Sequence, residues 1–247
     1  MKVVIGIPAR FSSTRFPGKP LALLAGKPMI AHVVARAQEA DVGDVFVATD
    51  DERIADAVRD CGVQVCMTRA DHASGTDRLA EAVADMDCDV VINVQGDEPL
   101  IDPAAIKAVL EPFDGEPALA MATLAHPIRD EFDLNDPNVV KVVCDAAGHA
   151  LYFSRSPIPF LRDEAAATPL QHVGLYAYRR DFIMKYSTLL PSPLEQAEHL
   201  EQLRVLHHGY AIGVRIGDFH CLGIDTPEDL QRAGEYLRSG RLRINES

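Results

Sequence analysis

A chain of 247 residues with an apolar fraction of 47% can build one sizeable α/β core, alone or with a smaller appendage. Its net charge of −13 argues against a general nucleic-acid binder, whose footprint is a basic face. No run approaches the roughly 18 apolar residues of a membrane helix, and the N-terminus lacks the basic-then-apolar layout of a signal peptide, so a cytoplasmic protein without membrane insertion is expected.

Val3–Ala9 (VVIGIPA) reads as a buried strand that ends at Arg10. Met29, Ile30, Val33, Val34 and Ala37 then recur at helical spacing behind Pro28, which suits a first helical position. Val45–Thr49 is a second strand, and Asp50 or Asp51 caps a helix that turns Ile54, Ala55 and Val58 inward. Val63–Met67 is a third. Val90–Val94 (VVINV) is the clearest buried strand, followed by QGDEP and a helix near Ala104–Leu110. Alternation of this kind predicts a mainly parallel sheet with helices on both faces. In open sheets ligands collect beyond the carboxyl ends of the strands, and Arg10, Asp50 and Asp97 all fall there.

The middle of the chain changes character. Leu119–Leu124, Val139–Cys144, Ala150–Phe153 and Val173–Tyr178 suggest strands without regular βα units, an inserted or appended lobe suited to dimerisation, and Arg162–Thr168 suggests a mobile surface loop. A helix is expected from about Pro193, with Leu194, Ala197, Leu200 and Leu203 on one side. A strand is expected through Gly223 and Ile224 to Asp225. The last helix opens at TPED, with Thr226 as N-cap, Pro227 in the first position and Asp229 completing a capping box.

Cys61, Cys66, Cys88, Cys144 and Cys221 are odd in number and never spaced as C-x-x-C, which reads as small core residues in a reducing compartment. Adjacent His207 and His208 point different ways on a helix, so no structural zinc site emerges. Charge is unevenly placed: residues 1–38 hold Lys2, Arg10, Arg15, Lys19, Lys27 and Arg36 with no acid, a segment of +6 that leaves −19 on the other 209 residues. One cationic region kept in an acidic protein implies a small anionic ligand.

The loop PARFSSTRFPGKP supplies cations at Arg10, Arg15 and Lys19, hydroxyls at Ser12, Ser13 and Thr14, and Gly18 for close approach. It is not a Walker A loop, because Pro20 stands where a magnesium-binding Ser or Thr belongs, nor a dinucleotide fingerprint. A cation about 4 Å from a phosphate charge gains about 4 kcal/mol at an effective dielectric of about 20. Distant acids are screened over about 8 Å, so the local cations outweigh the net charge. Asp97 and Glu98, after the central strand, and Asp225 are carboxylates that suit Mg²⁺ bridged to substrate phosphates. Taken singly, each aspartate reads equally well as a turn or helix cap.

The segments PARFSSTRFPGKPL, ATDD, MTRADHASGTDR, NVQGDEP, ALYFSRSPIP, HVGLYAYR, LEQLR and GIDTPEDL occur in this order over nearly the whole chain. Together they resemble the 3-deoxy-manno-octulosonate cytidylyltransferase family. The resemblance implies a single nucleotidyltransferase domain over residues 1–247: a Rossmann-like, mainly parallel nucleotide-binding sheet of the nucleotide-diphospho-sugar transferase type, with a smaller β-rich lobe at approximately 119–190 for dimerisation and sugar binding. It implies a cytoplasmic homodimer that transfers CMP from CTP to 3-deoxy-D-manno-octulosonate (Kdo), with release of pyrophosphate, for lipopolysaccharide biosynthesis. Arg10, Ser13, Arg15 and Lys19 match its phosphate loop, and Ser74, Gly75 and Arg78 the segment recognising the cytidine. Asp97 and Asp225 match its Mg²⁺ ligands, and with Arg10 and Lys19 make up the expected catalytic set. Gln95, Arg155, His172, Tyr176, Glu201 and Gln202 match positions associated with the sugar. Arg155 suits a carboxylate and the others suit hydroxyls, whereas by the residues alone His172 and Tyr176 read as a core pair and Glu201 as a solvated helix position. The inferred reaction is in-line attack of the sugar's anomeric hydroxyl on the α-phosphorus, with no general base assigned. A cytidylyltransferase for 8-amino-Kdo or another sugar acid is the near alternative, and a non-catalytic nucleotide-binding module the distant one.

Overall fold

The computed structural model describes residues 1–12, 16–163, 166–219, 223–224 and 226–238. In chain order it contains β1 (Val3–Ala9), the short hairpin of β2 (Leu23–Leu24) and β3 (Lys27–Pro28), α1 (Met29–Glu39), β4 (Asp44–Thr49), α2 (Glu52–Val58), β5 (Gln64–Met67), α3 (Gly75–Ala82), β6 (Val90–Asn93) and α4 (Pro103–Ala108). Then come β7 (Met121–Pro127), α5 (Glu131–Asn135), β8 (Lys141–Cys144), β9 (Ala150–Ser154), β10 (Leu170–Arg179), α6 (Arg180–Tyr186), α7 (Pro193–Glu198), α8 (Gln202–His207), β11 (Ile212–Ile216) and α9 (Pro227–Arg238).

The main sheet runs β11-β7-β10-β6-β1-β4-β5, with β8 pairing to β10 and β9 to β8. From β6 through β1 and β4 to β5 every pairing is parallel, as expected for βα units. β10 enters antiparallel between β6 and β7, and β11 runs parallel to β7. Within residues 119–190, β7 and β10 are therefore strands of the central sheet, and β8–β9 form a ribbon that departs from it.

Strand alternation divides the core into two layers. Val3, Ile5, Ile7, Val45, Val47, Val90 and Ile92 face one side, against Ile30, Val33 and Val34 of α1, Ile54 and Val58 of α2, and Ala105 and Ile106 of α4. Val4, Phe46, Ala48 and Val91 face the other, against Leu79 and Ala80 of α3, Phe182 and Ile183 of α6, and Leu203 and Val205 of α8. Helices on both faces force the inner strands to be apolar on both sides, which is why these segments read as continuous apolar runs. A full β1 at this depth leaves no room at Gly6, where a Cβ would meet Leu79 at 2.6 Å and Phe46 at 2.7 Å.

The helix starts follow their caps. Asp51 accepts from Arg53 N at 2.9 Å and caps α2, while Asp50 turns away to an ion pair with Arg78. Thr226 and Asp229 exchange the two bonds of a capping box, at 3.1 and 2.9 Å.

Two expectations need correction. The helix starting at Pro193 does not run through Leu203: it stops at Glu198, His199 takes the left-handed conformation at φ 52°, and α8 starts anew at Gln202. The break lets Arg204 fold back onto Glu195, with Nε to Oε2 at 2.9 Å, although nine residues of unbroken helix would separate them by about 13.5 Å. The second correction concerns the strand near the C-terminus. Gly223 and Ile224 are not extended into a ladder, and the strand of this region is Ile212–Ile216, paired to β7. Of the loop expected over Arg162–Thr168, residues 164 and 165 lie outside the described residues. No helix among the described residues is long and apolar enough to cross a membrane.

Candidate active site

β1 delivers the chain to an exposed Arg10, and the following loop returns at Gly18. Gly18 adopts φ 72° and donates its N–H to Phe11 O at 3.0 Å, a conformation open to glycine because it lacks a Cβ. The Arg53 guanidinium lies 3.4 Å from the centre of the Phe11 ring and braces the loop from α2. The turn aims Lys19 back at the sheet. Its Nζ donates to Asp97 Oδ2 at 2.7 Å and to Ile224 O at 2.9 Å. The Ile224 N–H donates to Asp97 O at 2.9 Å, so the C-terminal segment is tied to the same corner. Ser13, Arg15 and Asp225, three of the expected site residues, lie outside the described residues.

At the carboxyl ends of β1 and β6, a cavity of about 450 Å³ opens between the loop and the start of α3. Arg10, Lys19, Ser74, Gly75, Arg78, Gln95, Asp97 and Glu201 all line it. Ser74 is the N-cap of α3, accepting from Asp77 N at 3.1 Å and donating to Asp77 Oδ2 at 2.8 Å. The helix start, with its unpaired N–H groups and positive dipole end, therefore faces the cavity. Two glycines allow this approach: a Cβ on Gly75 would lie 3.1 Å from Pro8 Cγ, and one on Gly96 would lie 2.9 Å from Pro8 O. Arg78 is buried, pairs with Asp50 at 3.1 Å and donates to Thr68 Oγ1 and Arg69 O. It thereby holds the ends of β4 and β5 together while presenting part of its surface to the cavity.

A second cavity of about 290 Å³ adjoins the first and is lined by Gln95, Glu98, Tyr176, Tyr178, His199, Glu201 and Gln202, among others. Its wall is made of hydrogen-bonding groups on β10 and α8. Tyr176 donates to Gln202 Oε1 at 3.4 Å, and burial holds the phenol well above its ordinary pKa, so it stays a donor. Gln202 is 3% exposed, and its Nε2 has no hydrogen-bond partner among the described residues. An orphan amide at a cavity wall is ready for a ligand oxygen. Gly75, Gln95 and Glu201 border both cavities.

The cytidylyltransferase family model matches residues 3–216. The 3-deoxy-manno-octulosonate cytidylyltransferase of Solibacter usitatus is 53% identical over 98% of this chain and 97% of its own. The chain belongs to the 3-deoxy-manno-octulosonate cytidylyltransferase family. The enzyme of the same name from Syntrophotalea carbinolica is also 53% identical, over 96% of this chain and 99% of its own. A solved CMP:2-keto-3-deoxy-manno-octonic acid synthetase, complexed with CTP, superposes with a TM-score of 0.92 at 47% identity, covering 97% of this chain and 100% of that one.

The family resemblance raises magnesium, which the donor set can be tested for. Among the described residues no group of three or more His, Cys, Asp or Glu side chains is placed to hold a metal ion, and Asp225 lies outside them. Asp97 offers one hard carboxylate, about a third exposed, at the wall of the cavity that also holds Arg10 and Lys19. That suits an ion held by one or two carboxylates and completed by substrate phosphates.

Most expected family residues that the structure describes share the two cavities, but two do not line them. Arg155 donates from Nε to Glu198 O at 2.7 Å and from Nη1 to Pro137 O at 2.9 Å. Its backbone is held by Glu198 and by buried Lys141, whose Nζ donates to Arg155 O at 2.7 Å. His172 lies behind Tyr176, ring centres 5.4 Å apart, with Phe153 edge-on at 5.0 Å. Sequence reasoning passed over His72, Thr76 and His199. His72 lines the first cavity and is held by Glu81; it sits inside the quoted ASGTDR neighbourhood, so its position was the available signal. His199 carried none, because nothing in LEQAEHLEQLR marks a left-handed residue.

Proposed function

We propose that this protein transfers CMP from CTP to 3-deoxy-D-manno-octulosonate (Kdo), releasing pyrophosphate and supplying an activated sugar for lipopolysaccharide assembly. The observation that carries the reading is the pair of adjoining cavities, one lined by Arg10 and Lys19 and one by hydroxyl, amide and carboxyl groups, meeting at Gly75, Gln95 and Glu201. A triphosphate suits the first cavity, with Arg10 and Lys19 stabilising charge on the departing pyrophosphate. A polyhydroxylated sugar suits the second, where Gln95, Tyr176 and Gln202 supply hydrogen bonds and exclude a flat apolar ligand. Arg155 lines neither cavity, and its assignment to the sugar's carboxylate rests on the family resemblance. The protein's task is to place the anomeric hydroxyl in line with the α-phosphorus and the leaving oxygen. Asp97, with Asp225 as second carboxylate, would hold magnesium, which would supply charge neutralisation on the phosphates.

Two further assignments accompany this reading. Cys61, Cys66, Cys88 and Cys144 are free thiols, which supports a reducing, cytoplasmic setting. The ribbon ends in β9, which pairs with β8 alone among the named strands and exposes Leu151, and this free edge supports a homodimer joined through the lobe.

The test is pyrophosphate release by the purified protein with CTP and Mg²⁺, comparing Kdo, 8-amino-Kdo and N-acetylneuraminate, and then UTP, ATP and GTP in place of CTP. Turnover with Kdo and CTP above the other pairs is expected. Absence of turnover with every sugar acid would overturn the transferase reading.

A further inference from the structure

We propose that Glu201 is the general base that takes the proton from the sugar's attacking hydroxyl. The inference deepens the function proposed above and rests on it. An in-line transfer brings the acceptor hydroxyl to the boundary between the nucleotide and sugar cavities. Three residues border both: Gly75 has no side chain, the Gln95 amide accepts no proton near neutral pH, and Glu201 has a carboxylate.

The other titratable groups nearby are placed or occupied differently. Asp97 lines the first cavity and is bonded to Lys19. His72 lines the first cavity with its Nε2 held by Glu81. His172 is buried behind Tyr176, and Tyr176 is committed as a donor to Gln202. Glu201 is oriented by Thr76, whose Oγ1 donates to Oε2 at 3.4 Å from α3.

The charge around Glu201 suits a base. Although the residue is open to solvent along the cleft, the walls packed about its carboxyl raise its pKa above the usual carboxylate range, chiefly by burial and next by Asp77 on α3. Glu195 on α7 raises it further, while Arg204 on α8 and the Thr76 hydroxyl pull it down. Tyr176 and Tyr178 of β10, Tyr186 of α6, Glu98 after β6 and His199 between α7 and α8 complete the titratable groups facing the second cavity. A carboxylate with a raised pKa is a stronger base than one in water.

The step balances without a co-reactant. The hydroxyl proton passes to a Glu201 oxygen as the sugar oxygen bonds to the α-phosphorus. The bond from that phosphorus to the α–β bridging oxygen breaks, and pyrophosphate leaves with the electron pair. Glu201 then releases its proton to solvent through the cleft.

The experiment is the pH profile of kcat for the wild type, Glu201→Gln and Thr76→Val, with saturating CTP, Mg²⁺ and Kdo. The wild type is expected to lose activity on acidification through one group. Glu201→Gln should lower kcat by about 10²- to 10⁴-fold and abolish that acid limb, with KM for CTP changed less than about threefold. Thr76→Val removes a bond to the charged form and should move the limb to higher pH. A Glu201→Gln enzyme that keeps the acid limb, or loses only affinity for the sugar, overturns the proposal, as does an unmoved limb in Thr76→Val. A wild type inactive with every sugar acid would instead overturn the underlying function.

Discussion

His172 is 7% exposed, and its Nε2 lies 3.0 Å from Thr123 Oγ1. The Thr123 hydroxyl also lies 2.8 Å from Leu175 O and 3.1 Å from Val173 O. It has one proton to give, which goes to a carbonyl, so it accepts the imidazole N–H. That bond is open to the neutral and the charged ring alike; burial keeps the ring neutral, lowering its pKa from 6.5 to about 3. Between these values the unfolded chain binds the proton and the native protein does not, so stability falls as pH drops. Going from pH 7 to 5 should cost about 2 kcal/mol through this residue alone, and His172→Phe should remove that part of the slope in urea unfolding at the two pH values. Asp97 acts on activity instead. Asp97→Asn should lower magnesium-dependent pyrophosphate release by about 100-fold or more. The melting temperature should hardly change, since a partly exposed pair with Lys19 contributes only about 1 kcal/mol. Charged residues at strand ends were readable in the sequence because their chemistry and position coincide. Glu201 and Gln202 were not readable from their own pattern, because LEQLR looks like any solvated helical turn until β10 packs beside it.

Among the elements, the parallel half of the sheet was the easiest to foresee. β1, β4 and β6 are covered on both faces, and that burial writes itself as unbroken apolar runs. The spacing of Leu194, Ala197, Leu200 and Leu203 misled for the opposite reason. Local periodicity describes one helix, whereas the buried Glu195–Arg204 pair is satisfied only by a fold-back at His199. β11 escaped because its five residues are interrupted by Gly213, and they gain their strand character from pairing with β7. The close approach of β6 to β1 makes its own prediction. A Cβ at Gly96 would press on Pro8 O, a backbone atom that cannot rotate aside, and would push Asp97 away from the loop. Gly96→Ala should therefore reduce kcat by roughly tenfold or more, since small misplacements of reacting groups are costly. Circular dichroism should show an intact fold, and a variant with normal turnover would show that this contact does not position the site.

For the whole molecule, the homodimer proposed above would cover the edge at β9 and the exposed Leu151 on it. Leu151→Glu is expected to shift the protein from dimer to monomer in light scattering, with pyrophosphate release retained if each site is built within one chain. The uneven charge read from residues 1–38 also takes on a spatial meaning. The cationic segment does not face its acids at a distance: Lys19 lies against Asp97 at 2.7 Å. Each serves as the other's counter-ion before any ligand arrives. A phosphate that draws Lys19 to itself exposes the Asp97 carboxylate to a cation, and a cation at Asp97 releases Lys19 to a phosphate. In the magnesium-dependent reaction proposed above, nucleotide and metal would thereby be thermodynamically linked, each tightening the other by the same factor. The Lys19–Asp97 pair, self-neutralised at rest, offers little attraction to either ion alone.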